Sequence, residues 1–175
     1  MVESIGRRLQ PKSVLTCLFK TAVWAMCLVA PWAQAGKDDE IIAATKQCIY
    51  LEERRRGLPH GLLLAIAKTE SGLNWRAINY NRDGSYDIGV MQINSRHLPR
   101  LRKYGITQES LWNPCVNVSV GAFILHEFIA MHGLSWKAVA AYNTGSPERK
   151  PAAARRYAEK VHQNYIRIAL GTKSQ

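Results

Sequence analysis

A short segment built almost entirely from apolar residues constrains the fold of this chain more than any other feature. Residues 61–68 read Gly-Leu-Leu-Leu-Ala-Ile-Ala-Lys, and Leu58-Pro59-His60 precedes them. A proline in that position is tolerated in the first turn of a helix. A helix that is apolar on all sides must also be covered on all sides. We therefore expect one buried central helix with the rest of a domain packed around it.

The other elements are expected to be mostly helical. Apolar residues recur at helical spacing over 39–56, 117–131 and 136–142, and a shorter helix is expected over 107–111. A loop is expected over 143–147. The final helix has an apolar stripe formed by Ala154, Tyr157, Val161, Tyr165 and Ile168. The expected fold class is therefore mainly α (α+β).

One short β-hairpin is the only strand signal. An Asp83-Gly84 turn lies between short apolar and aromatic runs within residues 77–88. Alternation along the second strand would place Asp87, Gly89 and Met91 on one side. Because glycine has no side chain, Gly89 would leave the backbone open to close approach by a ligand.

The first 35 residues have the pattern of a signal peptide. Four basic residues precede an apolar run over 21–32, which ends at Ala33-Gln34-Ala35. An uncleaved membrane anchor is the alternative, but the run has about 12 residues where a spanning helix needs roughly 20. We expect cleavage, export to the periplasm without a lasting membrane anchor, and one domain over 36–175.

The exported domain would be strongly basic. Without the leader it has 20 Lys and Arg against 12 Asp and Glu, a net charge of +8. A positive surface suits polyanions in general. After export those are the cell wall, its anionic polymers and lipid head groups, so nucleic acid is not expected as a partner.

Two cysteines, Cys48 and Cys115, would remain after the leader is removed. In an oxidising compartment they are expected to form a disulfide. The bridge would close a loop of 67 residues and stabilise the domain by about 4 kcal/mol. Two buried free thiols are the alternative.

The motifs that are absent from the sequence leave carboxylate chemistry. It has no His-Glu-x-x-His or Cys-x-x-Cys spacing, no phosphate-binding glycine loop and no Gly-x-Ser-x-Gly elbow, so neither a metal nor a cofactor is expected. Glu70 ends the apolar helix, where burial and the helix carbonyls should raise its pKa. Asp87 follows the hairpin turn, and the two carboxylates could act as acid and stabiliser. Alternatively, Asp87 serves the turn and Glu70 reaches water.

Three segments together resemble a known family. Glu70-Ser71-Gly72-Leu73-Asn74, Gly89-Val90-Met91-Gln92-Ile93-Asn94 and Ala141-Tyr142-Asn143-Thr144-Gly145 are similar, in order and spacing, to the three motifs of soluble lytic transglycosylases. The resemblance covers about residues 45–165. It is strongest to the small members that accompany type III secretion, conjugation or pilus systems. It implies a lysozyme-like fold and cleavage of peptidoglycan to leave 1,6-anhydro-MurNAc ends.

The resemblance also implies roles for individual residues. Glu70 matches the single acid and base of the family. The expected substrate-binding residues are Ser71, Met91, Gln92, Asn94, Tyr142 and Asn143. Four of these residues could instead have purely structural roles. These would be core packing for Met91 and Tyr142, loop capping for Asn143 and a helix cap for Ser71.

The hairpin leaves the reaction product open. Residues 70–96 also resemble animal-type lysozymes, whose active-site aspartate falls at the position of Asp87. Hydrolysis by water, with Asp87 assisting, is therefore an alternative to the anhydro product. A third possibility is a wall-binding module without activity. The expected partners are glycan strands and a component of a trans-envelope secretion, conjugation or pilus apparatus.

Overall fold

The computed structural model describes residues 31–171 of the chain. Of these, residues 38–171 belong to one compact unit. Most of the expected signal peptide lies outside the described residues, and its last five positions begin the first helix. The helices are α1 Pro31–Arg56, α2 Leu62–Ser71, α3 Leu98–Leu101, α4 Pro114–His132, α5 Trp136–Thr144 and α6 Pro151–Ala169, and the strands are β1 Ile78–Tyr80, β2 Tyr86–Ile88 and β3 Ile93–Asn94.

The expected central helix is confirmed as α2. Its buried residues are Leu62, Leu63, Ala65, Ile66 and Ala67. α6 packs against α2, α5 against α6, and α4 against α5. The helix ends at Gly72, which adopts a left-handed conformation with φ of 64° and donates its N–H to the carbonyl of Lys68. This sharp end leaves Glu70, which is partly buried, in the last turn of the helix.

A buried carboxylate from α1 caps the other end of α2. Glu53 is 2% exposed. Its carboxylate accepts hydrogen bonds from the backbone N–H groups of Gly61 at 2.9 Å and Leu63 at 2.8 Å. These N–H groups have no partner within the helix, and a negative charge there also suits the helix dipole. Glu53 therefore fixes where the central helix begins.

The long helix α4 forms the second layer of the core. Its side chains Val118, Ala122 and Leu125 are fully buried. By length and hydropathy alone it could cross a membrane, but here that composition belongs to a core helix. Near its start Cys115 is bonded to Cys48 of α1, with the two Cα atoms 5.4 Å apart. The expected disulfide is thus confirmed.

The expected hairpin is confirmed, but the sheet has a third strand. All neighbours are antiparallel in the order β1-β2-β3. Asp87 of β2 pairs with Asn79 on one side and with Asn94 on the other. β3 contains only Ile93 and Asn94, too few residues to give a visible alternation. This third strand brings Asn94 next to Asp87.

The expected alternation beyond Ile88 is wrong. β2 ends there, and Gly89 begins a turn with φ of 75°. A side chain at Gly89 would overlap the side-chain amide of Asn117, so the open backbone accommodates a buried residue of α4 and not a ligand. Met91 is 0% exposed. A Cβ added at Gly121 would lie 2.8 Å from the Cβ of Met91, so the two residues are in close contact. Met91 is therefore a core residue, which corrects the prediction that its side chain binds substrate and agrees with the alternative of core packing.

Two other boundaries differ from the prediction. α5 continues through Asn143 to Thr144, because Gly145 is the first residue that can end it by donating its N–H to the carbonyl of Ala141. The loop expected from Asn143 therefore begins two residues later. The short helix expected over 107–111 is a 3₁₀ turn, Glu109–Trp112, and two further 3₁₀ turns, Ser95–His97 and Arg102–Tyr104, flank α3. In α6 the apolar stripe is as expected, with Ala154, Tyr157 and Val161 buried.

Candidate active site

Glu70 lies in the last turn of α2 with most of its side chain removed from water. Burial raises its pKa to about 7, and the hydrogen bond from Tyr157 opposes that effect. The negative charge of Asp87 raises the pKa further. The expected rise in the pKa of Glu70 is confirmed, and burial is its main cause. The carboxyl can therefore hold a proton near neutral pH and release it with little cost.

Tyr157 holds Glu70 in place, a role that the sequence did not suggest. Its hydroxyl donates a 2.6 Å hydrogen bond to Oε1 of Glu70 across 87 positions of the chain. Burial and the nearby Glu70 raise the pKa of Tyr157 well above 10, so it remains a donor. In the sequence Tyr157 is one member of an apolar stripe. The only available hint was that a buried tyrosine hydroxyl usually needs a partner.

Asp87 is held by side-chain amides on both oxygens. Oδ1 accepts a hydrogen bond from Nδ2 of Asn94 at 2.7 Å, and Oδ2 accepts one from Nδ2 of Asn81 at 2.9 Å. The structure thus brings Asp87 into the electrostatic reach of Glu70 and fixes its orientation. Asn94 was expected to bind substrate, and here it positions Asp87. Asn81 was not singled out from the sequence.

Ser71 and Gln92 join the end of α2 to the turn after β2. Ser71 donates its hydroxyl proton to the carbonyl of Val90 at 2.8 Å. Gln92 has φ of 50°. Its Nε2 donates to the carbonyl of Gly89 at 2.7 Å, and its Oε1 accepts a hydrogen bond from Asn79. Gln92 lines the cleft, whereas Ser71 connects two elements of its wall.

Tyr142 and Asn143 bring the end of α5 to the same place. The hydroxyl of Tyr142 donates to the carbonyl of Met91 at 2.9 Å. Burial, together with the charges of Glu70 and Asp87, raises the pKa of Tyr142 well above 10, so it too remains protonated. Asn143 is exposed, and both residues line the cleft. Met91 thus contributes its backbone here although its side chain is in the core.

These elements enclose a cleft of about 640 Å³, within the usual range for ligand sites. The sheet, the turns after it, α4, and the end of α5 with the loop that follows all contribute. Its lining residues are Asn81, Arg82, Asp83, Ser85, Asp87, Gln92, Ile93, Asn94, Arg96, His97, Ile124, Phe128, Tyr142, Asn143, Thr144, Gly145 and Lys150. Within residues 31–171 no three His, Cys, Asp or Glu side chains converge in the way that a metal site requires.

The arrangement suits acid and base chemistry at a single carboxyl. Glu70 has a pKa of about 7, while Asp87, fixed by two amides, stands within its electrostatic reach. A carboxyl that can be protonated next to a second carboxylate in a polar setting is the arrangement that cleaves glycosidic bonds. The second and third sequence motifs contribute lining residues to the cleft, and the first contributes Glu70, which is within electrostatic reach of Asp87 in the lining.

Comparison with known proteins agrees with this geometry. The family model described as Transglycosylase SLT domain matches residues 47–165. Invasion protein IagB of Salmonella typhi is 38% identical over 151 residues, which cover 86% of each chain. Protein IpgF of Shigella flexneri is 45% identical over 120 residues, 68% of this chain and 79% of the relative. X polypeptide of Escherichia coli strain K12 is 38% identical over 133 residues, 74% and 78% of the two chains.

The matched region contains the central helix, the sheet, the cleft and most of α6. Helices around a buried α2 beside a small antiparallel sheet are the lysozyme-like architecture that the sequence motifs implied. The family description supports an enzyme of the lytic transglycosylase type that acts on peptidoglycan. This chain therefore belongs to the transglycosylase SLT domain family.

Proposed function

We propose that this protein is an exported lytic transglycosylase that cleaves the β-1,4 bond between MurNAc and GlcNAc and leaves 1,6-anhydro-MurNAc ends. The observation that carries the proposal is the largely buried carboxyl of Glu70, whose pKa of about 7 suits both protonation states. The same carboxyl can then act as acid in one step and as base in the next. No cofactor is needed for this chemistry.

In the first step protonated Glu70 donates its proton to the glycosidic oxygen. The bond between C1 of MurNAc and that oxygen breaks, and positive charge develops on the sugar ring. Asp87 would stabilise that charge, since it is oriented by Asn81 and Asn94. The hydrogen bond from Tyr157 would stabilise the carboxylate that Glu70 becomes.

In the second step the Glu70 carboxylate removes the proton of the C6 hydroxyl of the same MurNAc. The C6 oxygen forms a bond to C1, which closes the 1,6-anhydro ring and returns Glu70 to its protonated form. Of the residues that the family motifs implicate, Gln92, Tyr142 and Asn143 line the cleft and are proposed to contact the sugar. Ser71, Asn94 and the backbone of Met91 are proposed to hold these groups in place.

Hydrolysis is the second candidate, and the position of Asp87 favours it. A carboxylate beside the acid is what a muramidase uses to assist the attack of water. Product analysis separates the two reactions. Purified sacculi would be digested and the muropeptides weighed by mass spectrometry. Ends that contain anhydro-MurNAc support the proposal, and reducing ends alone would replace it with hydrolysis.

A wall-binding protein without activity is the remaining alternative. It would gain nothing from a buried carboxyl whose pKa is near 7. The turbidity of a peptidoglycan suspension should fall with the native protein and stay constant with a Glu70→Gln variant that binds the same wall. An unchanged suspension with both proteins would favour the binding module, and equal clearing by both would remove Glu70 from the mechanism.

The proposed location is the periplasm, after removal of residues 1–35. The proposed purpose is local opening of the wall for a secretion, conjugation or pilus apparatus, supported by similarity to a protein named for invasion. Nucleic acid is not proposed as a partner, and neither is a lasting membrane anchor. Cell fractionation with sequencing of the mature N-terminus tests the location. Material found only in the cytoplasm and beginning at Met1 would contradict it.

A further inference from the structure

The cleft contains two positive charges that no described residue neutralises. Arg82 lies in the β1–β2 turn, and Lys150 lies just before α6. Both are exposed and both line the cleft. Neither forms an ion pair or a side-chain hydrogen bond with any residue of the described 31–171. Two chain segments that are 68 positions apart therefore each bring a free cation to the same groove.

The acidic residues next to these cations are already engaged elsewhere. Asp83 follows Arg82, but its carboxylate pairs with Arg96 at 2.7 Å and accepts the N–H and hydroxyl of Ser85. Glu148 lies two residues before Lys150, but it pairs with Lys137 at 2.7 Å. Asp87 also lines the groove, where two neutral amides orient it and leave its charge in place. Three cations, Arg82, Arg96 and Lys150, then face the two carboxylates Asp83 and Asp87, so the lining keeps a net positive charge.

The sugar rings of the glycan carry hydroxyl and acetamido groups, and the lactyl carboxyl of MurNAc is held in an amide bond wherever a stem peptide is attached. The glycan of a peptide-bearing strand therefore has no charge of its own for this field to bind. The acidic groups of peptidoglycan are the carboxylates of the stem peptides attached to MurNAc. We infer that Arg82 and Lys150 bind stem-peptide carboxylates, so that the enzyme prefers strands with free stem-peptide carboxylates over uncharged strands. This inference rests on the proposed function and adds a substrate preference to it.

Exposed ion pairs are individually weak, so the preference should be moderate. Two such contacts predict a ratio of kcat/KM between free-carboxylate and uncharged strands of about 3 to 10. Both charges are exposed to solvent, so the ratio should fall towards one as salt is increased. A preference that came only from the bulk of the peptide would not respond to salt.

The test uses the protein isolated as the cell produces it and three soluble, uncross-linked glycan preparations of equal length. One has stem peptides with free carboxylates, and one has the same peptides amidated. The third has been stripped of peptide by an amidase, and the lactyl carboxylates exposed by that cut have been converted to amides. Release of strand ends gives kcat/KM for each. We expect the free-carboxylate strands to be cut fastest, and the amidated and stripped strands to be cut at similar rates.

Variants locate the preference. The double variant R82Q/K150Q should bring the three rates to within about twofold, and R82E/K150E should make free-carboxylate strands the poorest substrate. The matched control is K103Q/K160Q, which removes two exposed cations outside the cleft and should keep the native ratio.

The outcomes separate this inference from the proposed function. Cleavage of all three preparations at equal rates would overturn the inference and leave the proposed function standing. A preference that survives in R82Q/K150Q would also overturn it, since other groups would then bind the peptide. If no preparation were cut, the proposed function would fail, and the inference with it.

Discussion

The hydroxyl of Tyr157, on the last helix, donates a 2.6 Å hydrogen bond to the carboxylate oxygen of Glu70, at the end of the central helix. This contact stabilises the charged form of Glu70, whereas burial and Asp87 stabilise the neutral form. The pKa of about 7 is therefore a balance between effects that come from three elements of the fold. The contributions of Tyr157 and of Asp87 to the pKa of Glu70 can each be removed by one substitution.

Replacing Tyr157 by Phe removes the effect that lowers the pKa of Glu70. The pKa should rise further above 7, so Glu70 stays protonated to higher pH and the alkaline limb of kcat/KM moves to higher pH. The maximal rate should fall, because the carboxylate formed in the first step loses its donor. A pH–rate profile measures both effects. An alkaline limb that stays in place would show that Tyr157 does not set this pKa.

Replacing Asp87 by Asn should move the same limb in the opposite direction. The charge of Asp87 raises the pKa of Glu70, so its loss lowers that pKa and the alkaline limb moves to lower pH. The rate at the optimum should fall on the order of 10²-fold, if Asp87 stabilises developing positive charge. A control, Glu109→Gln, changes an exposed acid outside the cleft and should alter neither the limb nor the rate. Equal behaviour of the two variants would remove Asp87 from the mechanism.

The free energy of unfolding should depend on pH through the protonation of Glu70. Glu70 has a folded pKa of about 7 against an ordinary value of 4.5, so folding favours its protonated form. The stabilisation is complete below about pH 4.5 and is lost as the pH rises through 7. Glu70→Gln carries no such proton. Its free energy of unfolding should match that of the native protein at pH 4 and exceed it by up to about 3 kcal/mol at pH 8.

Urea denaturation of both proteins across this pH range makes the comparison. The difference between them should grow with pH, most steeply between pH 4.5 and 7. A difference that is constant with pH would mean that Glu70 titrates in the folded protein as it does in the unfolded chain.

Glu53 of α1 should matter for stability although it caps the end of α2 that is opposite to Glu70. Glu53→Ala leaves the N–H groups of Gly61 and Leu63 buried without an acceptor, which should cost about 2–4 kcal/mol. Glu53→Gln keeps one acceptor oxygen and should cost roughly half as much. Denaturation midpoints should decrease in the order native protein, Glu53→Gln, Glu53→Ala. Equal stability of the three proteins would show that water replaces the carboxylate at this helix end.

Features of this protein that depend on nearby residues could be predicted from its sequence. The apolar run before Glu70 predicts a buried helix because every side of it is apolar, and burial then predicts the raised pKa. The Asp83-Gly84 turn predicts the hairpin for the same kind of local reason. The disulfide followed from having only two candidates outside the leader.

What the sequence did not indicate depends on contacts between distant segments. The partner of Glu70 is 87 positions away, and a tyrosine in an apolar stripe gives no sign of which group it will contact. Met91 was expected to bind substrate because the family resemblance implied it, with core packing as the alternative, and a space left by Gly121 of α4 receives its side chain. Two residues are too few to predict β3, so the contact between Asn94 and Asp87 was also hidden.

Asn117 is the buried residue of α4 that fixes the turn after β2. It is 0% exposed. Its amide nitrogen donates to the carbonyls of Ile88 and Leu111, each at 2.9 Å, and its oxygen accepts the N–H of Met91 at 2.8 Å. Asn117→Ala should therefore cost about 3 kcal/mol through unpaired buried groups. It should also lower activity, because the same turn carries Gln92 into the cleft.

A double-mutant cycle with Gly89 tests whether this contact accounts for the glycine. In the native background Gly89→Ala is costly for two reasons, the φ of 75° and the overlap of its new Cβ with Asn117. In the Asn117→Ala background the overlap with Asn117 is gone. The backbone cost of about 1–2 kcal/mol remains, together with a close approach of 3.1 Å to the carbonyl oxygen of Leu111. The double variant should thus be more stable than the sum of the single losses predicts, as measured by urea denaturation. Strict additivity would mean that the backbone conformation alone requires glycine at this position.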